Sequence, residues 1–362
     1  VGKLFEENIE KFRDLRFIDN LNLFINEVNG PTKTRWMESI AKSLSTNSLI
    51  QGLGVKRAAK ILVRISKVHL VSWDEMFKEL EAGESIQSLC TIVGPPGAGK
   101  TSLMQFIAEK FWECGKCFKN MKKFDLLFSL PCRDHSIQTV HDLIRSNYPE
   151  TCRKLDESKV IDCFKSTRNL ILIDGFDEAS SDTLKLLEDI LDVSNSLNDH
   201  AIIITTRPHK EQELYELIKK KGKQHRICDI GLLYEKNEQI DFLKHYELLS
   251  SNLEGAADAF SSLPKSIDEG NFFQLPINLI MFLDLFDNRP LIAKNIRSYN
   301  ELVHHSYELK ERSISSKIVH KNKFFVERAS RDIMGAYEDL AVKKLLKNET
   351  VYWYVIINSF KS

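Results

Sequence analysis

"TIVGPPGAGKTSLM", residues 91–104, decides the fold of this 362-residue chain. Gly94-Pro-Pro-Gly-Ala-Gly-Lys-Thr101 satisfies G-x-x-x-x-G-K-[ST] at every fixed position. An apolar, strand-like run, Ser88 to Val93, precedes it, and a helical pattern opens at Lys100. The residue types follow from the chemistry of holding phosphate. Gly97 and Gly99 let backbone N–H groups turn inward around phosphate oxygens. The helix N-terminus adds partial positive charge. Lys100 supplies a point charge for the β- and γ-phosphates, and the Thr101 hydroxyl is a ligand for Mg2+. The stretch expected to bind ATP or ADP is Gly94, Pro95, Pro96, Gly97, Ala98, Gly99, Lys100, Thr101 and Ser102.

Two downstream runs supply the remaining parts of such a site. In "NLILIDGFDEAS", residues 169–180, four apolar residues from Leu170 to Ile173 precede Asp174. A buried strand ending in a carboxylate is where a Mg2+-ordering acid belongs, so Asp174 is the metal acid. Asp177 and Glu178, three and four residues on, are candidates to polarise the attacking water; an acidic cap at a helix start is the plainer alternative. In ordinary AAA+ motors the catalytic Glu follows the metal acid directly, whereas here Gly175 does. "AIIITTRPHK" ends an apolar strand at Thr205-Thr206-Arg207-Pro208. A strand-end Arg207 can reach a γ-phosphate and register its presence, unless it is simply a surface arginine.

Further out, the chain reads as ordinary globular material. Lys plus Arg and Asp plus Glu number 51 each, with 43% hydrophobic and 28% charged residues. That balance argues against a nucleic-acid or membrane partner recognised by bulk charge. "KKKGKQHR", residues 219–226, has no interleaved aromatics and reads as a solvated helix end and loop. Seven cysteines, several in apolar strand-like runs, suit reduced buried thiols and a cytoplasmic location. Cys114-Gly-Lys-Cys117 has zinc or redox spacing, but no second pair follows, so it reads as an incidental helix end. No apolar run approaches the ~20 residues a membrane helix needs. No signal-peptide pattern opens the chain, and a start at Val1 fits a fragment of a longer protein.

The organisation follows from periodicity. "SLCTIVG", "FDLLFSLP", "NLILIDGF", "AIIITTRP" and "HRICDIGLL" are apolar strands separated by helical runs. That pattern predicts an α/β fold, a parallel-sheet P-loop NTPase core with helices on both faces. An N-terminal helical segment is expected over residues 1–75, with a third helical run in "VKRAAKILVRISKVHL" (55–70) and a Phe and Leu stripe at residues 4–24 that packs rather than meets a membrane. The nucleotide-binding domain is expected over 76–234. A first helical domain is expected over 235–290 and a winged-helix-like, truncated region over 291–362.

Together these motifs resemble the NACHT domain, a branch of the STAND signalling P-loop NTPases that includes the NOD-like receptors. "GPPGAGKTSL", "LILIDGFDEA" and "IIITTRP" stand in that family's order and spacing. "LFSLPCRD" (127–134) is similar to its second strand, and "ICDIGLLYEKNEQIDFLKHY" (227–246) to the strand leading into the first helical domain. "QLPINLIMFLDLF" resembles the helix whose Pro lies against adenine, which implies that role for Pro276. "NELVHHSYELKERS" and "RDIMGAYEDLAVKKLL" resemble pieces of the winged-helix region. The resemblance implies a nucleotide switch: ADP holds a closed monomer, ATP opens it, and subunits assemble into an oligomer that recruits a signalling adaptor, in innate immunity or cell-death control. Hydrolysis would be slow. Relatives carry an ADP-contacting His beyond the last of these stretches; Lys347 to Ser362 contain none, and His304 and His305 come too early. No leucine-rich, ankyrin or propeller repeats follow. The competing readings are an AAA+-type motor or loader ATPase and a P-loop phosphotransferase. The first lacks a Glu directly after Asp174, and the second lacks an acceptor pocket with paired lid arginines.

Overall fold

The computed structural model describes residues 23–24, 62–66, 69–72, 89–113, 124–193, 200–223, 225–248, 250–264, 267 and 271–318. Its strands are β1 (Leu62–Ser66), β2 (His69–Ser72), β3 (Leu89–Val93), β4 (Leu126–Pro131), β5 (Asn169–Asp174), β6 (Ala201–Thr206) and β7 (Arg226–Ile230). They form one sheet in the order β2-β1-β7-β3-β6-β5-β4. The five runs expected to be strands are β3 to β7, and all five lie parallel. β6 therefore sits between the phosphate-loop strand β3 and the acidic strand β5. The register places Asp174 and Thr205 one step beyond the Ile173–Ile204 pair, and Thr205 level with Ile92.

The strands are apolar throughout, rather than alternating, because both faces are covered. On one face Phe128, Ile171, Ile202 and Ile204 pack with side chains of α2 (Val140–Asn147), α4 (Glu157–Ser166), α5 (Ser181–Val193) and α6 (Glu211–Lys220). On the other, Cys90, Ile92, Leu172 and Ile203 pack with Leu103, Phe106 and Ile107 of α1 (Lys100–Glu113). The expected helices on both faces are thus present. A short α3 (Pro149–Cys152) links α2 to α4.

β4 is an edge strand, and its outer backbone groups need partners. The end of α2 provides them. The Tyr148 hydroxyl accepts from Leu127 N–H at 3.1 Å and donates to its carbonyl at 2.8 Å. The Asn147 amide does the same for Ser129, at 3.0 and 3.2 Å. A capping box between Thr139 and Asp142 fixes where α2 begins.

One expectation fails. The run 55–70 was predicted helical, yet 62–66 and 69–72 are strands, and β1 lies antiparallel to β7 and β2. Val63-Arg64-Ile65-Ser66 alternates with period two and carries β-branched residues, and pairing Val63 with Ile230 and Arg64 with Asp229 covers the exposed edge of β7. The first two N-terminal helical runs lie outside the described residues apart from Leu23 and Phe24, which are helical; Phe24 is buried against Tyr148, ring centroids 5.6 Å apart. Cys114 and Cys117 also lie outside. The basic stretch at 219–226 is a helix end, as expected: α6 closes at Lys220, Gly222 takes φ 67°, and Lys221 pairs with Asp192 at 2.6 Å.

The chain divides into two compact units, Val1–Leu232 with Leu275–Ile277, and Leu233–Gln274 with Asn278–Ser362. The second is helical where described. It contains α7 (Lys236–Glu247), α8 (Ala256–Ser261), most of α9 (Pro276–Asn288), α10 (Pro290–Asn295) and α11 (Tyr299–Ile318). Phe260 sits edge-on to Phe273 and Phe282, at 4.8 and 5.4 Å, with Lys236 Nζ 3.6 Å from its ring centre. Arg289 reaches Glu308 at 2.6 Å. "NELVHHSYELKERS" lies on α11; residues 331–362, on which the winged-helix expectation mostly rests, are outside the described residues.

His200, just before β6, gives this fold a pH dependence. It is buried, stacks on Phe164, and its Nδ1 accepts from Asn169 N–H at 3.0 Å, so Nε2 carries the proton. Burial, then the Lys223 charge, pushes its pKa from 6.5 down to about 4. Between those values the unfolded chain binds a proton that the native state refuses, so stability falls as pH drops through the window. Urea midpoints between pH 7 and 4 are expected to fall less steeply in His200→Asn, which keeps an acceptor near Nδ1 but does not titrate. Parallel curves for the two proteins would contradict this.

Candidate functional site

The phosphate loop begins where β3 ends. Gly94 N–H donates to the Thr206 carbonyl at 3.2 Å, which ties the loop to β6. A Cβ at Gly94 would lie 2.2 Å from Ile230 Cγ2, so no larger residue fits without displacing β7. Gly97 and Gly99 take φ of 78° and 99°, the left-handed turn that the sequence pattern requires. Leu103 N–H to Gly99 carbonyl, 2.9 Å, starts α1. The first turn of α1 carries no acidic residue to offset its positive end. Ala98 is buried; Pro96, Gly97 and Thr101 are exposed; Pro95 and Ser102 are partly buried. Lys100 Nζ donates to the carbonyls of Gly94 (2.6 Å) and Pro95 (2.9 Å). Burial lowers the Lys100 pKa; nearby Asp177 opposes the shift, Arg207 adds to it, and Asp174 and Glu178 oppose it.

The acidic strand presents a second fixed group. The Thr205 hydroxyl accepts from Gly175 N–H at 2.8 Å and donates to Asp174 Oδ1 at 2.7 Å. Because the hydroxyl's acceptor side is taken by the amide, its proton is directed at the carboxylate. Cys132 N–H holds the Asp174 carbonyl from β4's side, at 2.9 Å. Gly175 then takes φ 79°, and the chain turns through a short 3-10 helix, Phe176–Glu178, anchored by buried Phe176. Glu178 N–H closes that turn on the Gly175 carbonyl at 2.8 Å. A glycine therefore follows Asp174 because the backbone needs a left-handed residue there. The turn carries Asp177 and Glu178 back toward the strand end.

Arg207 meets both acids. Its Nε lies 2.8 Å from Asp177 Oδ2, and its Nη2 3.7 Å from Glu178 Oε1. The Asp177 oxygen is buried without an aligned hydrogen bond, so the 2.8 Å contact is Coulombic and the N–H does not point along it. Burial raises the Glu178 pKa, the Asp177 charge adds to this, and Arg133 and Arg207 counter it. Burial, then the Asp174 charge, also raises the Cys132 thiol, which keeps it protonated and unreactive.

The structure thus gathers Gly94, Lys100, Asp174, Asp177, Glu178 and Arg207 at the carboxyl ends of β3, β5 and β6. Pro276 opens α9, and in the same compact unit as the loop its neighbour Ile277 donates N–H to the Gly97 carbonyl at 3.3 Å. A Cβ on Gly97 would lie 2.4 Å from Ile277 Cγ2. Sequence reading gave no role to Ile277 or to Thr205 and Thr206. The two threonines had a visible signal, hydroxyl residues closing an apolar strand beside Arg207. Ile277 had none.

These residues fit a nucleotide with its metal. A left-handed glycine loop, a lysine and an unneutralised helix start make a donor-only cradle suited to a polyanion. The Thr101 hydroxyl and the Asp174 carboxylate are the hard oxygens that Mg2+ takes. No group of three or more His, Cys, Asp or Glu residues able to hold a metal ion occurs among the described residues.

Comparison with known families agrees with this geometry. The family model of the NACHT domain matches residues 88–247. The chain carries a NACHT domain. Its α/β sheet is therefore that of a P-loop NTPase domain, as the resemblance implied. A search of curated proteins returns no match. Among solved structures, the chain is similar to the Aeropyrum pernix ORC2 protein in ADPNP–ADP complexes at 11% identity, covering 79% of this chain and 80% of that one, TM-score 0.40. It is also similar to Saccharomyces cerevisiae RIF2 (11% identity, 71% and 95% coverage, TM-score 0.37) and to CDC6p from Pyrobaculum aerophilum (13% identity, 63% and 66%, TM-score 0.38). Scores of this size say nothing of function.

The Thr205 bridge within the NACHT domain is directly testable. Thr205→Val keeps the side-chain shape but leaves Gly175 N–H without its buried partner, so a loss of about 1–3 kcal/mol is expected in denaturant unfolding. Thr205→Ser is expected to stay within about 1 kcal/mol of the parent. Equal stability of the Val and Ser variants would contradict the bridge.

Proposed function

We propose that this NACHT domain is an ATP/ADP-binding switch that controls self-assembly, with slow ATP hydrolysis. One observation carries the reading: three consecutive residues at the end of β6 touch the phosphate loop, Asp174 and the acid pair. The Thr206 carbonyl holds the phosphate loop, the Thr205 hydroxyl holds Asp174, and Arg207 holds Asp177 and Glu178. Mg2+ would supply charge neutralisation between the phosphates, with Thr101 and Asp174 as its protein ligands. Lys100 would exchange the loop carbonyls for phosphate oxygens. The Asp177–Glu178 pair contains the acid that polarises water, and Arg207 distinguishes a triphosphate from a diphosphate by its charge. Pro276 and Ile277 border the loop where a base could lie. A switch needs only different affinities of two shapes for two nucleotides, so rapid turnover is not required.

The family resemblance extends this proposal to a nucleotide-dependent oligomer, an unidentified signalling adaptor, innate-immune or cell-death signalling, and a cytoplasmic site of action. Among the described residues no helix is long and apolar enough to cross a membrane. An AAA+-type motor is the competing reading, and turnover separates the two. The switch is expected to purify with ADP and to hydrolyse ATP slowly, as read by mass spectrometry of released nucleotide and by phosphate release. Turnover accelerated by a substrate polymer would favour the motor. Lys100→Ala is expected to weaken ATP binding at least about 100-fold through loss of a charge–phosphate contact. Titration calorimetry checks this, and unchanged affinity in a folded variant would contradict the site.

A further inference from the structure

The two acids that follow Gly175 are adjacent in sequence but not equivalent in space. The Asp177 side chain is 2% exposed, whereas that of Glu178 is 21% exposed. A carboxylate shut away from solvent has no route to a reacting water; a partly exposed one does. Asp177 instead lies 2.8 Å from Arg207 Nε, while Glu178 stands back at 3.7 Å from Nη2. The Asp177 oxygen accepts no aligned hydrogen bond, so this pair lacks the fork geometry that makes an Arg–carboxylate contact tight. It is a holding contact that another anion can displace.

We propose that Asp177 is a positioning residue that holds Arg207 while the site contains a diphosphate, and that Glu178 alone is the acid that polarises water. The assignment rests on the nucleotide-switch reading. Arg207 directly follows Thr206, whose carbonyl holds the phosphate loop, and its charge is felt at Lys100 of that loop. When a γ-phosphate enters, Arg207 exchanges the Asp177 carboxylate for it. When ADP is bound, the Asp177–Arg207 pair persists. Asp177 therefore sets how strongly the site prefers ATP over ADP, by competing for the same cation. This separates discrimination from hydrolysis: Asp177 and Arg207 govern the first, Glu178 the second.

The test is titration calorimetry of the full chain with Mg2+ and either ADP or a non-hydrolysable ATP analogue, alongside single-turnover hydrolysis of ATP. Asp177→Asn removes the competing charge and is expected to raise the ATP-to-ADP affinity ratio about tenfold, the scale of one charge-assisted contact. Glu178→Gln is expected to leave that ratio within about twofold while hydrolysis falls at least about 100-fold. Arg207→Ala is expected to bring the ratio near one and to abolish the gain from Asp177→Asn in the double variant. An unchanged ratio in Asp177→Asn, with hydrolysis lost as in Glu178→Gln, would make Asp177 the water acid and overturn the assignment. Absence of binding by the wild type would overturn the nucleotide reading itself, a result distinct from the first. If Asp177→Asn folds poorly, the Arg207 Nε–H resonance of the wild type gives the same answer. It is expected to keep its ADP position without nucleotide and to move with the ATP analogue; no movement would overturn the assignment.

Discussion

The carboxyl end of β6 is the constraint on which the site depends. A parallel sheet gathers the ends of its strands on one side, and β6 lies between the phosphate-loop strand and the acidic strand. Its last two residues and the arginine beyond each hold a different functional part. A displacement of this strand end by an ångström would therefore disturb the loop, the metal acid and the arginine together. In the proposed switch, that common attachment is the route by which one phosphate would be felt across the site.

The sheet was legible from the sequence because buried parallel strands leave a direct mark, continuous apolar runs between helical runs. Ile202-Ile-Ile204 and Leu170-Ile-Leu-Ile173 could scarcely be read otherwise. The phosphate loop was legible because its glycines are demanded by φ values that other residues avoid. β1 and β2 were missed because Ala58, Ala59 and Leu62 favour a helix locally, while the free edge of β7 rewards a strand. Tertiary pairing won over propensity, and nothing local announces the partner. Asp177 and Glu178 could be picked out but not told apart, since burial and the bearing of Arg207 depend on how the Gly175 turn folds back. Ile277 lies more than 170 positions from Gly97, and no spacing rule links two such residues.

Gly175 also bears on the choice between a switch and a motor. The left-handed turn at this glycine moves the acids three and four residues beyond Asp174 and brings them against Arg207. A carboxylate paired with an arginine is a weaker base than an unpaired one. The turn thus places both acids beside Arg207. Under the proposed switch reading that pairing would slow hydrolysis, and control of conformation by nucleotide needs no rapid turnover.

Amide hydrogen exchange across residues 200–210 tests the central claim most directly, measured with Mg2+ and either ADP or a non-hydrolysable ATP analogue. Both nucleotides are expected to protect the phosphate loop, and the ATP analogue alone to alter exchange at Thr206, Arg207 and the 176–178 turn. Identical exchange with the two nucleotides, or protection by neither, would contradict a switch read out through β6.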